Sequence, residues 1–154
     1  MYSNELRVAI DAGLLARKAI LQVYEQDFDV EIKSDQSPVT EADKRADTII
    51  KEYIKERFPT HSFLTEESED DASRLQNDYV WIVDPVDGTK DFVARNGEFT
   101  TNIALAYRHE IVVGVVIVPV SGDVYFATKD GGAFHLIHSR ITRLEVSQKL
   151  DDLT

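Results

Sequence analysis

The stretch Tyr79-Val80-Trp81-Ile82-Val83, followed at once by Asp84-Pro85-Val86-Asp87-Gly88-Thr89, constrains this chain more than any other segment. The apolar run reads as a buried strand, and the end of a strand delivers side chains to a fixed place on a rigid scaffold. Asp84 stands at that edge. Pro85 cannot donate to a sheet ladder and restricts the turn, so the chain bends there and brings Asp87 round near Asp84. A tight acidic turn of this kind supplies carboxylates and free backbone carbonyls, the oxygen ligands that hard divalent cations such as Mg2+ prefer. Asp-Gly is also an ordinary turn signal, and Asp-Pro-x-Asp-Gly by itself reads more often as a surface turn with no chemistry. Three further features add weight to the metal reading: Glu66-Glu67 ahead of the strand, Thr89 directly after the turn, and Asp43 within Pro38-Val39-Thr40-Glu41-Ala42-Asp43.

The rest of the chain divides into helical and then strand-like periodicity. From Asn4 to Tyr24, Leu6, Ile10, Leu14 and Leu21 recur at helical spacing with Ala9, Ala12, Ala16, Ile20 and Val23 nearby, which predicts a long amphipathic helix. After a polar loop, Thr40 to Phe58 repeats the pattern with Ala46, Ile49, Ile50, Tyr53 and Ile54, and Pro59 marks its end. Strands follow. Phe99 to Tyr107 and Ile111 to Val118 form a hairpin across Arg108-His109-Glu110, followed by Asp123 to Thr128, Ala133 to His138 and Ile141 to Val146, with a turn at Asp130-Gly131-Gly132. Two long helices packed on an antiparallel sheet make an α+β fold rather than a doubly wound one.

At 154 residues the chain is the size of one domain. With 28 acidic and 17 basic residues its net charge is -11, which repels nucleic-acid backbones and argues against a polymeric DNA or RNA partner. A small anionic substrate would need metal to offset that field. The absence of cysteine excludes a thiol nucleophile and a disulfide framework, and is compatible with a reducing cytoplasm. The N-terminus lacks the pattern of a signal peptide, and the longest apolar run, Ile111 to Val118, is far below the ~20 residues that span a bilayer. A cytoplasmic protein with no transmembrane segment is expected. The four histidines show no ligand spacing, so zinc is not expected, and Tyr79, Trp81, Phe99 and Tyr107 read as core aromatics.

The Glu-Glu segment followed by Asp-Pro-x-Asp-Gly-Thr resembles the inositol monophosphatase superfamily of Mg2+-dependent, lithium-sensitive phosphatases. Lys90, with Arg95-Asn96-Gly97-Glu98-Phe99-Thr100 and Asn102-Ile103-Ala104-Leu105, resembles its 3'(2'),5'-bisphosphate nucleotidase branch. Supporting pieces are Lys33-Ser34-Asp35, Ser37-Pro38-Val39-Thr40, and Gly114-Val115-Val116 with Pro119. The resemblance implies the N-terminal half of the layered αβαβα sugar-phosphatase fold and a site of two or three Mg2+ ions. It assigns metal ligation to Glu66, Asp84, the Val86 carbonyl and Asp87, and substrate contacts to Glu66, Val86, Asp87, Gly88 and Thr89. It makes Asp43 and Thr89 the catalytic relay that orients and deprotonates the attacking water. Asp43 also has a structural reading, since Thr40-x-x-Asp43 is a capping box for the second helix, and the two roles are compatible. Glu67 is expected to shape the loop. Gly88 lets the backbone approach a phosphate at the opening of a short helix, and Lys90 reads either as a phosphate contact or as a surface lysine.

The implied reaction is metal-assisted hydrolysis of a nucleoside bisphosphate such as 3'-phosphoadenosine 5'-phosphate to AMP and phosphate, a step of sulfur metabolism, with inositol or fructose phosphates as alternatives. Two rival motifs fit less well. The aspartyl-phosphate phosphatases use Asp-x-Asp-Gly-Thr, one residue shorter than Asp84-x-x-Asp87, and an EF-hand counted from Asp84 would need Gly and Glu where Thr89 and Arg95 stand. The family also implies a second α/β domain carrying a Trp-Asp motif that completes the metal site, whereas the single tryptophan here, Trp81, precedes Ile82. Residues 1–154 are therefore read as the N-terminal metal-binding domain with the C-terminal domain absent. On that reading, metal binding is weak, turnover is low, and an exposed apolar face can recruit a second copy or serve as an assembly module.

Overall fold

Apolar residues three and four apart make the first segment α1 (Ser3–Tyr24), whose buried stripe includes Val8, Ala9, Ala12, Ala16, Ile20 and Val23. The computed structural model describes residues 1–34, 38–69 and 72–146. Asp35, Ser37, Asp70, Asp71 and the final residues 147–154 lie outside the described residues. The small side chains in the α1 stripe allow close approach to the sheet: a Cβ on Gly13 would stand 2.4 Å from the Ile117 side chain. A short hairpin of β1 (Val30–Ile32) and β2 (Pro38–Thr40) occupies what the sequence presents as a polar loop. Thr40 then caps α2 (Glu41–Arg57), and the predicted capping box with Asp43 is present. The helix ends at Arg57, with Phe58 as its C-cap before Pro59.

The strands β3 (Ser62–Thr65), β4 (Tyr79–Asp87), β5 (Thr100–Tyr107), β6 (Glu110–Val118), β7 (Asp123–Thr128), β8 (Gly132–Ile137) and β9 (Arg140–Leu144) form one sheet in sequence order. The fold class is α+β, with one refinement. The sheet is mixed rather than wholly antiparallel, because β3 pairs with β4 in parallel, connected through a 3-10 turn at Ala72–Gln76. Four residues of middling burial carry too little alternation to announce β3. A second difference lies in β4, which does not stop at Asp84 but continues through Pro85 to Asp87, with its register against β5 shifting between Asp84 and Asp87. That irregularity is where a residue lacking N–H can sit within a sheet. The strand predicted to reach His138 ends at Ile137, and His138 sits in the following turn with positive φ.

The core lies between the two helices and one face of the sheet, where Trp81, Phe92, Phe99, Ile103, Leu105 and Ile117 are fully buried. Trp81 and Phe99 are the core aromatics expected, and Tyr79 and Tyr107 pack against them. On the opposite face Ile82, Ala104, Gly114 and Val116 line a shallow apolar groove of about 250 Å³. Among the described residues no helix is long and apolar enough to cross a membrane.

Candidate active site

Parallel pairing of β3 with β4 places the two acidic segments together. The ladder aligns Thr65 with Val83, and the Glu66 amide extends it by donating to the Val83 carbonyl at 3.2 Å. Glu66 thereby arrives beside Asp84 as the next residue of each strand. The two carboxyl groups hydrogen-bond each other, and the Asp84 carboxyl is pushed up to about 7. Burial is the main cause, followed by the bond to Glu66 and then by the negative charges of Glu66, Asp87 and Asp43. Asp84 Oδ1 is buried and has no hydrogen-bond partner among the described residues.

Beyond Asp84 the backbone is held by side chains of β5. The Thr101 hydroxyl donates to the Pro85 carbonyl at 2.8 Å, and Asn102 Nδ2 donates to Asp87 Oδ2 at 2.9 Å. Gly88 follows in the left-handed region, with φ 91°, and opens α3 (Thr89–Ala94). A Cβ there would lie 3.1 Å from the Glu98 carbonyl, so both conformation and space favour glycine. Arg95 ends α3 and donates to the carbonyls of Tyr24 and Gln26, tying this segment to the end of α1.

Asp43 comes from the first turn of α2 and is 1% exposed. Its Oδ2 accepts from the Thr40 amide at 2.8 Å and from the Thr40 hydroxyl at 2.6 Å, which leaves Oδ1 directed at the Thr89 hydroxyl 3.0 Å away. Thr89 Oγ1 also lies 3.1 Å from the Val86 carbonyl. One hydroxyl hydrogen serves one of these two acceptors at a time. The capping box thus uses one Asp43 carboxylate oxygen, and the other accepts from the Thr89 hydroxyl.

Glu66, Asp84, Val86, Asp87, Gly88, Thr89, Lys90 and Asp91 line a single open cleft of about 270 Å³, with Asp43 behind Thr89. Glu67 is directed differently: its side chain is nearly buried and pairs with Lys33 Nζ at 2.6 Å, while Lys33 lies 3.6 Å from Glu66. Burial pushes the Glu67 carboxyl up, partly opposed by Lys33. Glu67 is thus tied to Lys33 and does not line the cleft, and Lys33 and Asn102 are site neighbours whose roles the sequence did not reveal. None of the four histidines lines the cleft. A larger cleft of about 440 Å³ lies elsewhere, between the end of α2 and β3, and includes Lys51, Lys55 and His61. It lacks the converging carboxylates, so the chemistry places the candidate site in the smaller one.

Among the described residues, no three His, Cys, Asp or Glu side chains stand as a preformed metal-binding group. The donor set nevertheless fits a hard divalent cation. Every available ligand is oxygen, and one buried carboxylate oxygen has no hydrogen-bond partner among the described residues.

Residues 1–152 match the profile of the inositol monophosphatase family. The chain is 43% identical over 132 residues to the 3'(2'),5'-bisphosphate nucleotidase CysQ of Escherichia coli strain K12, covering 84% of this chain and 52% of that protein. It is 37% identical over 148 residues to human inositol monophosphatase 1, covering 91% of this chain and 51% of that protein. The crystal structure of CysQ from Bacteroides thetaiotaomicron superposes with a TM-score of 0.76 at 41% identity, covering 96% of this chain and 53% of that one. The extragenic suppressor protein suhB of Bartonella henselae superposes with a TM-score of 0.86 at 30% identity, covering 96% and 56%. The chain spans about half the length of the curated relatives it matches.

Proposed function

The chain belongs to the inositol monophosphatase family, and we propose that its acidic cleft serves metal-dependent hydrolysis of a phosphomonoester, with a nucleoside 3',5'-bisphosphate as substrate. The observation that carries this reading is the meeting, in one cleft, of the Glu66–Asp84 carboxyl pair and the Thr89 hydroxyl backed at 3.0 Å by Asp43. A divalent cation held by Glu66, Asp84, the Val86 carbonyl and Asp87 would polarise the phosphoryl oxygens and offset the charge of the leaving group. The protein's own contribution is proton management and positioning. Thr89 orients the attacking water with its oxygen and passes a proton towards Asp43 Oδ1, while Thr40 fixes the carboxylate through its other oxygen. Gly88 keeps the cleft floor free of a side chain, and Lys90, exposed on its rim, adds a positive charge beside an incoming phosphate. The likeness to CysQ favours the nucleotide, while the likeness to inositol monophosphatases makes inositol phosphate the second substrate to test.

The test is phosphate release from 3'-phosphoadenosine 5'-phosphate and from inositol 1-phosphate, with Mg2+ or with a chelator, using Asp84→Asn as the control. Mg2+-dependent release that is lost in the variant and faster with the nucleotide is the expected result. Release that persists in the chelator or in Asp84→Asn would place the chemistry outside this cleft. No release from either substrate would sink the proposed activity of this chain.

A further inference from the structure

Asp43, Asp47 and Lys51 recur every four residues along α2 and share one side of the helix. The cap and the relay account for Asp43, but Asp47 has no part in either. It is 4% exposed, and its Oδ1 is buried with no hydrogen-bond partner among the described residues. Its Oδ2 accepts from the Ser68 hydroxyl at 2.5 Å, and Lys51 Nζ donates to the same Ser68 oxygen at 2.8 Å. The Ser68 amide in turn donates to Thr65 Oγ1 at 3.2 Å, closing a tight loop whose middle residues are Glu66 and Glu67. A half-satisfied buried carboxylate costs stability, and an apolar residue between Ala46 and Ile50 would avoid that cost. Among the described residues, the only hydrogen bond to the Asp47 carboxylate is the one from Ser68.

We infer that Asp47 is a positioning residue, which acts through Ser68, with Lys51, to clamp the Glu66–Ser68 loop onto the helix that carries Asp43. The clamp joins the two halves of the cleft. Through Ser68 it keeps Glu66 against Asp84, and through the common helix it holds that pair in register with Asp43 and Thr89. Its functional meaning rests on the proposed metal site, whereas the clamp itself rests on the bonds above. Residues that orient metal ligands without touching the ion typically change affinity by about 10- to 100-fold when removed.

The intact chain and its Ser68→Ala, Ser68→Thr and Asp47→Leu variants can be compared by Mg2+ titration, by hydrogen exchange across residues 64–69, and by urea unfolding. Ser68→Ala is expected to weaken Mg2+ binding by about tenfold and to speed exchange in the Glu66–Ser68 segment alone. Ser68→Thr, which keeps the hydroxyl, should restore both, and Asp47→Leu should behave like Ser68→Ala. Unchanged local exchange in Ser68→Ala would overturn the inference, as would acceleration spread evenly over the chain, which would mark a general structural role. If the unaltered chain binds no Mg2+, the metal reading fails by itself, and the exchange comparison still decides whether the clamp exists.

Discussion

Replacing Asp84 by Asn removes a carboxyl whose folded pKa stands far above that of the unfolded chain, near 7 against 3.8. A group shifted upward makes the folded state bind more protons, so its contribution is fully present below the unfolded pKa and is lost as pH rises towards about 7. The span from pH 5 to pH 7 is equivalent to about 2.7 kcal/mol of that contribution. Asp84 is only partly buried, and solvent screening cuts this by about half, to roughly 1.4 kcal/mol. In a chelator, therefore, the wild-type chain should lose roughly 1.4 kcal/mol relative to Asp84→Asn between pH 5 and pH 8. With an m-value of about 2 kcal/mol/M, the gap between urea midpoints should move by about 0.7 M in favour of the variant. Saturating Mg2+ should reverse the order at pH 8. A cation at 100 times its dissociation constant stabilises the wild type by about 2.7 kcal/mol and finds no full carboxylate pair in the variant. Parallel pH curves for the two proteins would show that Glu66 and burial do not raise Asp84, and the account of the cleft as a proton-holding cation site would fall with them.

Thr89→Val keeps the volume but removes the hydroxyl between the cleft and Asp43, so phosphate release should fall by about 10²- to 10⁴-fold. Mg2+ affinity should stay unchanged and Thr89→Ser should recover most of the rate; equal activity in the valine variant would exclude the relay. Gly88→Ala should cost about 1–2 kcal/mol in urea unfolding, because its φ of 91° is unfavourable for any Cβ and the Glu98 carbonyl crowds it. A variant as stable as the wild type would show that the turn before α3 can relax without loss.

Each part of the site is bland where it stands in the chain, and the sequence reading depended on how much of its context was local. Thr40 and Asp43 lie three residues apart, so the cap was legible as a pair. The turn from Asp84 to Thr89 was legible for the same reason. Glu66 was harder to place, because its neighbour Asp84 is supplied by parallel pairing with β3, a four-residue strand with no buried alternation. Pro85 argued for the end of β4, yet the strand continues because the Thr101 hydroxyl holds the Pro85 carbonyl, a bond sixteen positions away in the chain. Asp47 and Lys51 were invisible as site residues: polar side chains four apart on a helix look like a solvated face, and only the loop at Ser68 turns that face inward. The same physics explains both outcomes. Short-range hydrogen bonds leave a spacing that can be read, whereas a carboxylate buried by a distant segment leaves none until the segment is seen to arrive. Asp84 is therefore the residue through which the assembled site can be tested, since its raised pKa comes first from burial and then from Glu66, Asp87 and Asp43, contributed by three separate parts of the chain.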